Sequence, residues 1–168
     1  MIRIFFLAIL ILTNFSLQAT FLPRFSIMEV TPDTALVFIV GYAILRGDIE
    51  GGVFGFATGI VQDALGGTVL GFYALLGFLA GYFCGKPFKD FFKDNYFLPF
   101  FVVIGICIVY QFVVYVSTVM FSAQADFWFY FRAILLPKTI YTASLSVPLY
   151  AFLYFLNSKI EKIEGYAI

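Results

Sequence analysis

The chain has 168 residues, of which 62% are hydrophobic, 21% aromatic and only 12% charged, and its mean hydropathy is +1.00. A soluble domain carries about 25% charged residues, so the composition excludes an ordinary soluble enzyme and points to a membrane protein. Lysine plus arginine balance aspartate plus glutamate at ten each and histidine is absent, which argues against a nucleic-acid partner, His-based catalysis and His metal sites together.

About six spans of 20 residues account for the whole length and leave no room for a soluble domain. The first apolar run, Ile4 to Leu22, is long enough to cross a bilayer. Arg3 before it and Leu17-Gln18-Ala19 at its end also fit a signal peptide. Asn14 and Gln18 lie four apart on one face, which suits a helix packed on another helix better than one facing lipid. Pro23 ends the run. Thr31-Pro32-Asp33 opens a second helix over 32–45: Thr31 can cap, Pro32 suits the first helical position, and Asp33 faces the positive end of the dipole. This helix is short for a span. A re-entrant hairpin with the third helix, 49–65, is one alternative. It would carry Arg46, Asp48 and Glu50 toward mid-membrane at about 2.5 kcal/mol or more per charge. Two short spans with Arg46 snorkelling to the interface cost less.

The third helix carries Gly51, Gly55 and Gly59 at intervals of four, and Asp63 is the next step. Residues four apart share one helix face, so three glycines and an acid form a single stripe. The fourth helix, 68–85, follows the Gly66-Gly67 break and brings Gly71, Gly77, Gly81 and Gly85. Each glycine costs a water-exposed helix about 1 kcal/mol relative to alanine. In lipid the same residue lets helix backbones approach closely. Gly51, Gly55, Gly59, Gly67, Gly71, Gly77 and Gly81 are therefore the expected helix-packing positions.

Next comes the main charge cluster, where Lys86, Lys89 and Lys93 alternate with Asp90, Asp94 and phenylalanines. Spacings of three and four would gather the three lysines on one side of a helical segment. They form either a solvated loop on the membrane surface or a basic patch that docks a cytoplasmic partner. The fifth helix covers 97–121. Five successive aromatics, Phe127 to Phe131, read as an interfacial belt or as part of a partner surface. The sixth helix covers 133–155, with Pro137 near its start and Pro148 inside, which membrane helices tolerate. Cys84 and Cys107 sit in apolar runs without metal-ligand spacing, so they read as packing residues. No catalytic residue, metal or cofactor is expected.

With the N-terminus inside, Arg3, Arg46, Lys86, Lys89, Lys93, Lys159 and Lys162 fall on the inner side, and Arg24, Arg132 and Lys138 on the outer. Seven positive residues against three place both termini in the cytoplasm. Asp33 and Asp63 then sit at the outer ends of the second and third helices. Asp63 either ends its helix at the water interface or pairs with Arg24, Arg132 or Lys138, with Asp33 competing for the same cation. In the second case the acids would shape a surface for an extracytoplasmic partner.

Pro32-Asp33, Gly51, Gly55-Phe56, Gly59, Asp63, Gly67, Leu70-Gly71 and Ala74-Leu75 together resemble the rod shape-determining protein MreD family. Length, helix count and the position of the basic loop are similar to that family as well. The resemblance implies a non-enzymatic scaffold of the bacterial cell-elongation and peptidoglycan-synthesis complex in the inner membrane. An MreC-like protein is the implied partner, with an MreB-like filament, a RodA-like glycosyltransferase and a penicillin-binding protein. The implied fold is all-α, a polytopic bundle of six transmembrane helices in one domain. That fold is similar to the substrate-binding subunits of energy-coupling-factor vitamin transporters, so such a subunit is the alternative function. The A-x-x-x-A docking pattern of those subunits has no counterpart in the first helix, where Ala8 and Ala19 are too far apart. An intramembrane enzyme is a third reading, and it has few candidate catalytic groups.

Overall fold

The computed structural model describes residues 2–18, 31–66, 71–88, 98–121 and 127–165. Arg24, Gly67, Lys89 and Lys93 lie outside them, as do the expected end of the first helix at Leu22 and the start of the fourth at Thr68. All regular structure among the described residues is helical: α1 (Ile2–Ser16), α2 (Thr34–Arg46), α3 (Asp48–Gly66), α4 (Phe72–Phe88), α5 (Leu98–Phe121), α6 (Phe127–Tyr130) and α7 (Leu136–Gly165). A π-helical segment, Phe131–Leu135, joins α6 to α7.

Helix α2 is the axis of the bundle. Every residue from Thr34 to Leu45 is buried, and α1, α3, α4, α5 and α7 all touch it. Its sequence, TALVFIVGYAIL, is apolar around the whole circumference, as a helix buried on all sides must be. The cap is not Thr31 but Asp33, whose side chain accepts a hydrogen bond from the Leu36 amide at 3.1 Å. A carboxylate satisfies an orphan amide and meets the positive end of the dipole at once, so the helix starts two residues later than the proline suggested. Helix α1 fastens to this end through the Thr34 hydroxyl, which donates to Asn14 Oδ1 at 2.9 Å, with Asn14 buried.

The other end of α2 turns into α3 through one residue. Gly47 adopts φ 102° and ψ −174°, a conformation that costs a residue with a Cβ about 1 to 3 kcal/mol. Its amide closes the helix on Ala43 O at 2.8 Å. Arg46 is not simply snorkelling: its Nε donates to Asn157 Oδ1 of α7 at 2.7 Å. Tyr42 bonds Glu50 at 3.3 Å beside it.

The last expected helix begins earlier than Ala133. The aromatic run Phe127 to Phe131 is itself helical, and its backbone widens before Pro137. Proline has no N–H and its ring clashes with the carbonyl four residues back. The π turn relieves that clash, with the Leu136 amide bonding Phe131 O five residues behind.

Among the described residues, two stretches are long and apolar enough to cross a membrane, Pro99–Ser117 and Trp128–Lys159; Thr34–Arg46 is apolar but shorter. Helices α3 and α4 do not pass that test. Glycine and the charges Asp48, Glu50 and Asp63 take the place of apolar bulk in α3, and α4 has only 17 residues.

Candidate functional site

The sequence feature richest in information, the glycine ladder, becomes the most extensive helix contact in the molecule, α3 against α4. The two helices run antiparallel in a fixed register. A side chain on Gly55 would run into the carbonyl of Gly77, and one on Gly77 into the carbonyl of Gly55. Gly51 and Gly81 oppose each other in the same reciprocal way, and Gly51 also abuts Ala43 of α2. One step further out, Gly59 rests on the backbone of Tyr73 and Ala74. Gly85 closes the far end against the Gly47–Asp48 turn. Backbone meets backbone along the hairpin, an arrangement side chains would hold apart.

Gly71 does a different job from the one its spacing suggested. Nothing lies within 4 Å of where its side chain would be, and its φ is 96°. It is a turn residue at the start of α4, and its carbonyl accepts the Leu75 amide at 3.0 Å.

Asp63 is the outermost step of the stripe, and its carboxylate turns to α4. Oδ2 accepts from the amides of Gly71 and Ala74, and Oδ1 from that of Tyr73, all at 3.0 Å. The first amides of a helix have no partner within it, and Gly71 has no side chain to cap them. Asp63 supplies the cap from the neighbouring helix, at the positive end of the α4 dipole. Three backbone donors thus hold the acid that the sequence left either ending its helix at the interface or pairing with a cation, and Arg24 lies outside the described residues. Arg132 is exposed on the π segment. Lys138 goes instead to Asp33, Nζ to Oδ2 at 3.9 Å, and the Asp33 amide donates to Thr142 Oγ1 at 3.0 Å. Both acids are buried, with 7% of Asp33 and 5% of Asp63 exposed, so their partners come from the protein.

Sequence reasoning missed the polar stripe of α7. Thr139, Thr142 and Ser146 are buried at spacings of three and four, a polar face inside an apolar helix, and that pattern was the available signal. It also missed Gln111, buried in α5, whose Oε1 accepts from the Tyr130 hydroxyl at 3.2 Å. The Gln111 amide nitrogen has no partner among the described residues. The basic patch is represented by Lys86 alone, exposed at the end of α4.

Two grooves flank α5. One, of about 260 Å³, runs between α5 and α7 and has Thr139 and Ser144 among otherwise apolar walls. The other, of about 180 Å³, lies between α4 and α5, lined by Leu76, Leu79, Phe83 and Val109 among others. Among the described residues no His, Cys, Asp or Glu cluster has the makings of a metal site.

An all-helical bundle with a wholly apolar central helix, backbone-packed glycines and two buried acids fits the class of helical membrane proteins. The model of one family, described as rod shape-determining protein MreD, matches residues 1–160, and the chain belongs to that family. It is thus a bacterial membrane protein of the rod-shape-determining machinery. No curated protein and no solved structure matches the chain.

Proposed function

We propose that this protein is a non-catalytic membrane scaffold of the cell-elongation machinery, crossing the inner membrane six times and binding an MreC-like protein. The observation that carries the reading is the commitment of Asp63. An acid at the end of a membrane helix is a functional candidate by default, and here its two oxygens are taken up by three amides of α4. The acid and the glycines serve one purpose, a rigid α3–α4 hairpin, and rigidity is what a scaffold needs. Such a surface organises partners, among them an MreB-like filament, a RodA-like glycosyltransferase and a penicillin-binding protein.

Co-expression with an MreC-like protein and purification in mild detergent tests this function. The two chains should elute together, and depletion of this protein should round the cells. Failure of co-elution together with unchanged cell shape would remove the proposal, and a vitamin-induced rise in melting temperature would favour the transporter subunit.

Orientation has its own check. The excess of inner positive residues predicts cytoplasmic signals from reporter fusions after Asn95 and after the C-terminus, and an extracytoplasmic signal near Gln124. An inward-reading fusion at Gln124 would discard the six-span arrangement.

A further inference from the structure

The ends of α2, α3 and α4 record the same short distance three times. Along α2, Asp33 and Arg46 are separated by about 20 Å of helix at 1.5 Å per residue. Along α3, Asp48 and Asp63 are about 23 Å apart, and along α4, Ala74 (whose amide bonds Asp63) and Lys86 are about 18 Å apart. Two polar layers thus bound this side of the bundle. At one lie Asp33, Asp63 and the start of α4; at the other lie Arg46, Asp48, Glu50 and Lys86.

The outward face of the hairpin repeats the measurement. Ile49, Val53, Phe56, Ile60 and Ala64 of α3 are exposed in a strip, about 23 Å from end to end. The exposed residues Gly71, in the turn before α4, and Lys86, near its end, enclose a strip of similar length. A typical hydrocarbon core is about 30 Å thick. Helix α5 differs: its 24 residues carry no charge and reach about 36 Å.

The hairpin has little means of lengthening itself. Asp63 is held by three amides, Asp48 accepts from the Ile49 amide at 2.9 Å in its own first turn, and aspartate is too short to snorkel as lysine does. Tilting shortens the projected height further. When a span is too short and rigid, the bilayer thins beside it.

We propose that the α3–α4 edge is a lipid-facing surface fitted to a thin bilayer. It gathers phospholipids of short hydrocarbon span and thins a thicker membrane on that side, with Lys86 meeting the headgroup phosphates. The α5 face keeps ordinary thickness, so the protein sits in an asymmetric membrane environment. This rests on the transmembrane placement of the hairpin proposed above.

Brominated phosphatidylcholines test it, because they quench only tryptophans they touch. The chain has one tryptophan, so Trp128→Phe gives a dark background for Phe56→Trp on α3 or Phe112→Trp on α5, both residues exposed in the native chain. Each full-length variant, checked for native helical circular dichroism, is reconstituted in vesicles mixing fourteen- and eighteen-carbon lipids. At Phe56→Trp the fourteen-carbon lipid should be favoured about twofold to threefold over the eighteen-carbon one, and at Phe112→Trp that preference should vanish. Equal affinity at Phe56→Trp, or a preference for the longer chain, would overturn the thin-membrane proposal and leave the hairpin's membrane placement standing. No quenching at Phe56→Trp, with quenching at Phe112→Trp, would remove both.

Discussion

Gly55→Leu should all but eliminate folded protein, whereas Phe56→Leu, one position along, should leave it near the wild-type level. The Gly55 side chain would start where the Gly77 carbonyl now lies, and that atom belongs to a backbone fixed by its own helix. Leucine forces α3 and α4 apart along the whole register, because Gly51–Gly81 and Gly59–Ala74 are in contact at the same spacing. Overpacking a core costs about 1 to 3 kcal/mol when side chains can yield. What Gly55 meets across the hairpin is the Gly77 backbone, so about 3 kcal/mol is the lower figure, a large share of the roughly 5 to 15 kcal/mol of a typical fold. Phe56 is 47% exposed, about 100° round α3 from Gly55, and loses little. Detergent-solubilised yield and melting temperature of the two variants, measured side by side, decide the point. Equal tolerance at Gly55 and Phe56 would mean that the helices do not meet in this register.

The second large effect belongs to Asp63→Asn. The substitution preserves shape, but the amide has one acceptor oxygen where the carboxylate has two. Its NH₂ group would face an amide that also needs an acceptor. Hydrogen bonds to a charged group contribute about 1.5 to 3 kcal/mol each, and a buried donor left unmet adds its own desolvation cost. A loss of about 3 kcal/mol follows, concentrated at the start of α4. Hydrogen exchange should show it first in the amides of Gly71, Tyr73 and Ala74. If Asp63 instead served a cation on another element, those amides would keep their protection and Asp63→Asn would destabilise that element. A normal exchange pattern with a normal melting temperature would remove the capping role altogether.

Both variants bear on how the family's function is assembled. Gly55→Leu, which forces the hairpin apart, should lose folded protein and partner binding together. A milder change, Gly59→Ala, should push on the Tyr73–Ala74 backbone and weaken the α4 cap nearby.

The membrane class was legible from composition, and the family from residues spread over Pro32 to Leu75. Helical geometry alone placed Gly51, Gly55, Gly59 and Asp63 on one face, because side-chain direction repeats at 3.6 residues. Periodicity identifies a face and says nothing of what meets it. The pairing of Gly55 with Gly77 and of Gly51 with Gly81 is a property of two helices at once, set by how closely their backbones approach. Gly71 illustrates the limit: it shares the spacing of its neighbours, and only its positive φ reveals a turn. Asp63 illustrates it again. Reading residue types directs a buried acid to arginine or lysine, since those are the donors that side chains display. The amides at the start of α4 are carried by every sequence alike and become free donors only where a helix begins. Asp33 and Lys138 met for the converse reason, that α7 crosses the start of α2, a fact of packing. The sequence determined which residues could be buried in a membrane and on which sides of their helices. Tertiary structure alone decided which of them touch, because contact depends on the register and angle of separate helices, and no local pattern encodes either.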